Sequence, residues 1–269
     1  MTRHAVGTEG ATLVYEKVGA GPLLIMIAGA GGLGSAYRRA ADQLAEEYTV
    51  LTYDRRCRGA STGNRDQDLD LGQQARDAAA IIRDTGAMQA YVFGSSGGGC
   101  IAVKLTEERP QLVAGLIVHE PAIVSVLPDA ERWRAHAAEV HDLYLRKGVL
   151  RAMARFAKPV KGVNPIKMIR ARRGGERPDF AFFMAHEHVP ISAYRPDIEA
   201  LRQAAVPTVT LSGRASRDGY NARTAPALAD LLGARFGTIS GNHFPYLLDP
   251  DRFVAELRPH LTEISAHHG

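Results

Sequence analysis

Two adjacent serines, Ser95 and Ser96, stand in the stretch YVFGSSGGGC over residues 91–100, between an apolar run and a glycine cluster. A serine hydroxyl attacks a carbonyl when the backbone exposes it and a neighbouring base takes its proton. Gly94, Ser96 and Gly98 form G-x-S-x-G after a predicted strand and before the helix CIAVKLTEERP, the pattern of a nucleophile elbow. Ser95 would need a glycine at Phe93 to satisfy the same spacing, so Ser96 is the candidate nucleophile. Small residues on either side let a strained strand-to-helix turn pass without a clash. That turn also brings the N–H of Gly97 close to the hydroxyl. With Ala30 or Gly31 from the loop IAGAGGLG it would form an oxyanion hole.

A serine needs a base and the base an orienting acid. Of the ten histidines, His243 in SGNHFPYLLDP follows the last predicted strand and comes after the serine in chain order, as the elbow arrangement requires. His186 and His188 in AHEHVP lack the i,i+4 spacing of a helical metal pair and read as surface or lining of an insertion. His267 and His268 fall in the tail. Two acids compete. Glu120 ends the strand GLIVHEPA, immediately before Pro121. Asp218 comes slightly late in VTLSGRASRDG, where Ala215 and Ser216 occupy the expected place. Glu120 is the first candidate and Asp218 the alternative.

The loop after the strand LLIMIA also reads G-x-G-x-x-G at Gly29, Gly31 and Gly34, with Asp54 at the end of the following strand. That is the spacing of a dinucleotide fingerprint. Against it, another strand precedes this one, the loop continues into Ser35-Ala-Tyr-Arg, and no Tyr-x-x-x-Lys pair exists for reductase chemistry. An NAD(P)-binding oxidoreductase is therefore the less favoured reading.

The elements that must hold these residues alternate. Strands are predicted at Thr12–Val18, Leu23–Ala28, Thr49–Tyr53, Ala90–Phe93, Gly115–His119, Thr208–Ser212 and Arg235–Ile239. Amphipathic helical stretches fall at Tyr37–Glu47, Gly72–Thr85, Cys100–Arg109, Ala225–Leu232 and Arg252–Leu261. Continuously apolar strands between helices predict an α/β fold with a mostly parallel sheet. The pair around GAGP reads as an antiparallel hairpin. The alternation stops between residues 126 and 196, a helical span that predicts a cap inserted between core segments 1–125 and 197–269.

With 45% hydrophobic and 23% charged residues the 269-residue chain can bury a large core and is not disordered. Cys57 and Cys100 make neither a disulfide framework nor a metal cluster. No long apolar run and no secretory leader is read, so a cytoplasmic protein without a membrane partner is expected. The net charge of +4 is uneven: residues 131–178 hold 13 Lys and Arg against 4 Asp and Glu. Without a nucleic-acid motif, that excess reads as a solvated face, or as attraction for an anionic substrate or product.

The segments GSSGG, VHEPA and GNHFPYLLDP together resemble the α/β-hydrolase superfamily over nearly the whole chain. YDRRCRGAST resembles that family's YD-x-R-G-x-G-x-S turn through Arg56, Gly59 and Ser61. More narrowly, the chain resembles zearalenone lactonases and a broad group of actinobacterial serine hydrolases. In the lactonases a G-x-S-S-G serine works with a glutamate in His-Glu-x-Pro and a histidine in His-Phe-Pro-Tyr, matching Ser96, Glu120 and His243. The chain departs from them at Gly97, where they carry serine. It also departs in the cap, where their substrate-stacking tryptophan has Phe182 and Phe183 as its counterparts, with Trp133 near the cap's start and His186 nearby. The resemblance implies a cofactor-free, metal-free serine hydrolase for a small-molecule ester or lactone. Epoxide hydrolases and dehalogenases of this fold carry Asp at the nucleophile. A slow or non-catalytic small-molecule receptor, or a cofactor-free lyase, uses the same fold and stays open, as does a homodimer.

Overall fold

The computed structural model describes residues 1–162 and 177–266. Its strands are β1 Thr2–Thr8, β2 Ala11–Val18, β3 Leu23–Ile27, β4 Thr49–Tyr53, β5 Ala90–Ser95, β6 Val113–His119, β7 Thr208–Gly213 and β8 Arg235–Ile239. They form one sheet in the order β1-β2-β4-β3-β5-β6-β7-β8. The β1–β2 and β2–β4 pairs are antiparallel, and every pair from β4 onward is parallel. Strands β3, β5 and β6 are buried along their full lengths, because helices cover both faces of the sheet.

The sequence placed the first hairpin at GAGP, and the structure places it elsewhere. β1 and β2 pair across Glu9 and Gly10, with Gly10 at φ 68°, a two-residue turn that suits left-handed backbone. The strands flanking GAGP do not pair, since β4 lies between them. β1 was missed because its residues are exposed or half-buried and carry no apolar alternation.

Among the described residues, the helices of seven or more residues are α1 Arg38–Leu44, α2 Leu71–Asp84, α3 Gly97–Glu108, α4 Ala130–Lys147, α5 Val149–Ala157, α6 over residues 180–193, α7 Ile198–Ala204, α8 Tyr220–Leu232 and α9 Pro250–Ser265. α1 and α9 close one face over Tyr37, Phe93, Phe253 and Leu257. On the other face α2, α3 and α8 bury Ile82, Ile101 and Leu228 against Ile25, Leu51, Val92 and Leu116. Helix starts follow local chemistry: the Asp70 carboxylate accepts from Gly72 N at 2.8 Å to cap α2, and Pro250 opens α9 behind Asp249.

Between β6 and β7 the chain leaves the sheet. The described residues of the expected cap form α4, α5 and α6, and Val140, Ala152, Phe183, Met184 and Ile191 pack onto the core beside Ile101 and Ile123. α6 contains a π-helical stretch, Phe183–Glu187. Part of the expected cap, residues 163–176 with five of its charges, lies outside the described residues, as do His267 and His268.

Candidate active site

The parallel strands all end on one side, and the candidate residues gather there. β5 runs into Ser96, whose φ of 57° and ψ of −125° depart from both strand and helix before α3 begins at Gly97. Such a conformation in a non-glycine residue costs on the order of 1–3 kcal/mol. Two glycines make it sterically possible. A Cβ on Gly98 would collide with the Ile27 carbonyl, and one on Gly94 with the Gly98 carbonyl. Ser96 is half-exposed, and its Oγ has no hydrogen-bond partner among the described residues. Its carbonyl accepts from Gly99 N at 2.9 Å and Ala122 N at 3.0 Å, which pins the turn. The N–H of Gly97 lies in the first turn of α3, where helix N–H groups lack intrahelical partners and the dipole favours negative charge.

The loop after β3 passes directly over this turn. A Cβ on Gly29 would lie 2.9 Å from the Ser95 carbonyl and 3.0 Å from Ser96 Cβ, so only glycine fits. Ala30 and Gly31 follow at half-exposed positions, with Gly31 beside Pro178 of the insertion. Asp54, the acid a dinucleotide reading would set on a ribose, is occupied otherwise. Its Oδ1 accepts from Gly34 N and its Oδ2 from Ala60 N, both at 3.0 Å, tying the loop to the turn after β4. Cys57 in that turn has φ 62°, at the position where the YD-x-R-G-x-G-x-S pattern has its first glycine.

Glu120 follows β6 with φ 42°, a left-handed turn that swings its carboxylate toward the loop after β8. The carboxylate is fully buried. Its Oε1 accepts from Gly213 N at 2.8 Å, and its Oε2 lies 2.6 Å from His243 Nδ1 and accepts from Asn221 Nδ2. Burial alone would raise the Glu120 pKa, but the His243 hydrogen bond and the adjacent imidazoles outweigh it and hold the group at about 2. Asp218, the alternative acid, is exposed in the turn before α8 and has no hydrogen bond to His243. Glu120 is the acid this structure brings to the imidazole.

The cap candidates are placed differently from a common stacking wall. Phe182 lies under two guanidinium groups, with Arg58 Cζ 4.5 Å and Arg65 Cζ 4.7 Å from its ring centroid. Phe183 packs edge-on against Phe156 in the core. Trp133 stacks on Tyr220 at 4.3 Å and donates its indole N–H to Asp129 at 3.0 Å. His186 Nδ1 pairs with Asp68 at 3.1 Å on the surface. Packing already uses most of these rings.

Three charged residues that the sequence reading passed over lie beneath the insertion. Arg55, Arg58 and Glu187 are each no more than 2% exposed. Arg55 grips both Glu187 oxygens at 3.1 and 2.9 Å and donates to the Gly29 carbonyl at 2.9 Å. Arg58 reaches Glu187 at 2.6 Å and the Asp179 carbonyl at 2.6 Å. One carboxylate of the insertion thus balances two guanidiniums of the turn after β4, and Arg55 joins it to the loop after β3. Nothing in the local sequence distinguishes these from surface charges. Glu187→Gln leaves two buried cations sharing a neutral amide, and should destabilise the protein by about 3–5 kcal/mol. A urea titration read by far-UV circular dichroism should show the lower midpoint with little change in slope.

Buried histidines set the acid sensitivity of the fold. Burial pushes His119 down to about 4 and His188 down to about 3, so both are neutral when folded and bind protons more readily unfolded. Their contributions are complete above about 6.5 and are lost as pH falls toward 4 and 3. Glu120, depressed to about 2, adds a loss below about 4.5 in the same direction. Thermal midpoints should therefore fall steadily between pH 6.5 and 3. A midpoint rising on acidification would contradict these protonation states.

Among the described residues no His, Cys, Asp and Glu cluster could hold a metal ion, and no helix is long and apolar enough to cross a membrane. Cys57 and Cys100 are free and buried.

Residues 22–233 match the family model described as the alpha/beta hydrolase fold. The chain is 28% identical over 270 residues to the uncharacterized hydrolase YraK of Bacillus subtilis, covering 96% of this chain and 95% of that protein. In structure it is similar to a thermophilic esterase from Thermogutta terrifontis, with a TM-score of 0.80 at 20% identity over 98% of this chain and all of that one. It is also similar to Est816, described as an N-acyl homoserine lactone degrading enzyme, with a TM-score of 0.69 at 20% identity, covering 95% and 99% of the two chains. With the sheet order, the elbow at Ser96 and the strand-end site already in place, the match over residues 22–233 is decisive: the chain belongs to the α/β-hydrolase fold family.

Proposed function

We propose that the protein is a serine hydrolase that cleaves a carboxylic ester or lactone through Ser96, His243 and Glu120. The observation that carries this reading is the buried Glu120 carboxylate, 2.6 Å from His243 Nδ1, at a strand end beside the strained Ser96 turn. Ser96 Oγ attacks the carbonyl carbon as His243 Nε2 takes its proton. The former carbonyl oxygen, now negative, is held by the N–H groups of Gly97 and of Ala30 or Gly31. Collapse of the tetrahedral intermediate breaks the bond to the alkoxide, which receives the proton from His243. Water then repeats the cycle on the acyl-enzyme and frees the acid. Glu120 holds His243 as the Nδ1–H tautomer and stabilises its positive form. In a lactone the alkoxide stays tethered to the acyl group. The proposal requires Ser96 Oγ to come within hydrogen-bond reach of His243 Nε2 in the substrate complex.

Residues 126–196 serve as the cap, and the reaction takes place in the cytoplasm without a cofactor. The narrower likeness to zearalenone lactonases makes bulky lactones the first to screen, beside short-chain esters. The excess of Lys and Arg over Asp and Glu in residues 131–178 supports an anionic substrate or product. Intact-protein mass after fluorophosphonate treatment tests the core of the proposal. One adduct, mapped to Ser96, is the expected result. An unlabelled wild-type protein would sink the hydrolase reading and favour a small-molecule receptor on this fold.

A further inference from the structure

The serine that the elbow leaves unused, Ser95, is fully buried, and register explains its position. β5 and β6 pair so that Ser95 stands opposite His119, whose Nδ1 lies 3.1 Å from Ser95 Oγ. His119 is itself fully buried, and its Nε2 has no hydrogen-bond partner. That nitrogen lies 4.0 Å from Glu120 Oε1, while Oε2 of the same carboxylate engages His243. The two imidazole rings flank the acid with centroids 6.3 Å apart. A buried polar atom without a partner is costly unless a nearby charge compensates it.

We propose that His119 is a positioning residue for the reaction: Ser95 donates its hydroxyl proton to His119 Nδ1, which sets the Nε2–H tautomer facing Glu120, so that one carboxylate is shared by two imidazoles. This rests on the catalytic reading of Ser96, His243 and Glu120. A hydroxyl donor at Nδ1 leaves the ring proton on Nε2, and the carboxylate beyond it favours that same tautomer. The N–H dipole draws on the negative charge of Glu120 and so limits how strongly Glu120 stabilises protonated His243.

Burial holds His119 at about 4, with Glu120 opposing the shift and His243 adding to it, so the ring is a neutral dipole across the working range. The ionisable groups facing this centre are few. Glu120 and His243 face His119, and Tyr220 from α8 faces Glu120 with its phenol raised by burial and by that carboxylate. The Cys100 thiol on α3 is pushed up to about 12 by burial. Neither carries charge near neutral pH.

The test uses the full-length protein labelled with ¹⁵N-histidine, compared across wild type, Ser95→Ala, His119→Leu and His119→Gln. In wild type, His119 should appear as the neutral Nε2–H tautomer from pH 5 to 8. The titration midpoint of His243, and with it the acid limb of kcat/KM, should rise by roughly 0.5–1 pH unit in His119→Leu. His119→Gln, whose amide places an N–H near the lost Nε2–H, should bring the midpoint back. Ser95→Ala should move it the same way by less. An Nδ1–H tautomer at His119 in wild type would overturn the proposal even if no variant folded. So would a folded His119→Leu protein with an unmoved His243 midpoint. Absence of turnover in wild type, with these titrations as expected, would sink the ester-hydrolase reading instead and leave the placement of His119 standing.

Discussion

Ser96→Ala is expected to lower turnover on any ester or lactone substrate at least ~10³-fold, with KM changed far less. The substitution removes the hydroxyl proposed to form the acyl-enzyme while leaving the proposed Gly97 and loop N–H donors in place, so weak residual rate acceleration is the expected remainder. It also relieves nothing in the backbone, because alanine at φ 57° is as strained as serine. Stability should therefore stay close to wild type, and a thermal melt alongside the kinetics separates lost chemistry from lost fold. Ser95→Ala makes the matched control: its hydroxyl is fully buried against His119, so it cannot take over the attack. If Ser95→Ala abolished labelling and Ser96→Ala did not, the assignment of the two serines would be reversed.

Glu120→Gln is expected to cost ~10³–10⁴ in turnover through the tautomer of His243. The three donors around the carboxylate explain why the isostere is not tolerated. Gly213 N–H reaches Oε1, whereas Asn221 Nδ2 and His243 Nδ1 both reach Oε2. A glutamine amide must turn its NH₂ toward one side. Facing Gly213, it sets two donors against each other in a site closed to water. Facing His243, it selects the tautomer with the proton on Nε2, which can no longer accept from Ser96. The fluorophosphonate adduct on Ser96 should still form, but far more slowly than in wild type. Asp218→Asn should remain near wild type, since Asp218 is exposed and makes no contact with the imidazole. A mild effect of Glu120→Gln beside a severe effect of Asp218→Asn would move the acid to Asp218.

Much of the local geometry around Ser96 is legible in the sequence alone. The glycines flanking Ser96 were readable because the turn's clash is local: Gly94 and Gly98 exclude a Cβ within four residues of one another or against the adjoining strand. The parallel strands were readable as apolar runs such as LLIMI, since burial on both faces leaves no room for polar alternation. β1 was not, because an edge strand half in solvent needs no such run. Nor was Asn221, which reaches both Glu120 and His243 from the first turn of α8 although 101 and 22 residues away from them.

What the sequence by itself determined is therefore what short-range sterics and burial period determine: the elbow at Ser96, the strand–helix alternation and the helical span that interrupts it. The choice between Glu120 and Asp218 as the partner of His243, the pairing of Ser95 with His119, and the neutralisation of Arg55 and Arg58 by Glu187 belong to the tertiary structure. Each depends on the register of neighbouring strands or on a contact across 24 to 132 residues of chain. In those contacts a side chain's charge acquires its meaning only from burial and from the partner it meets.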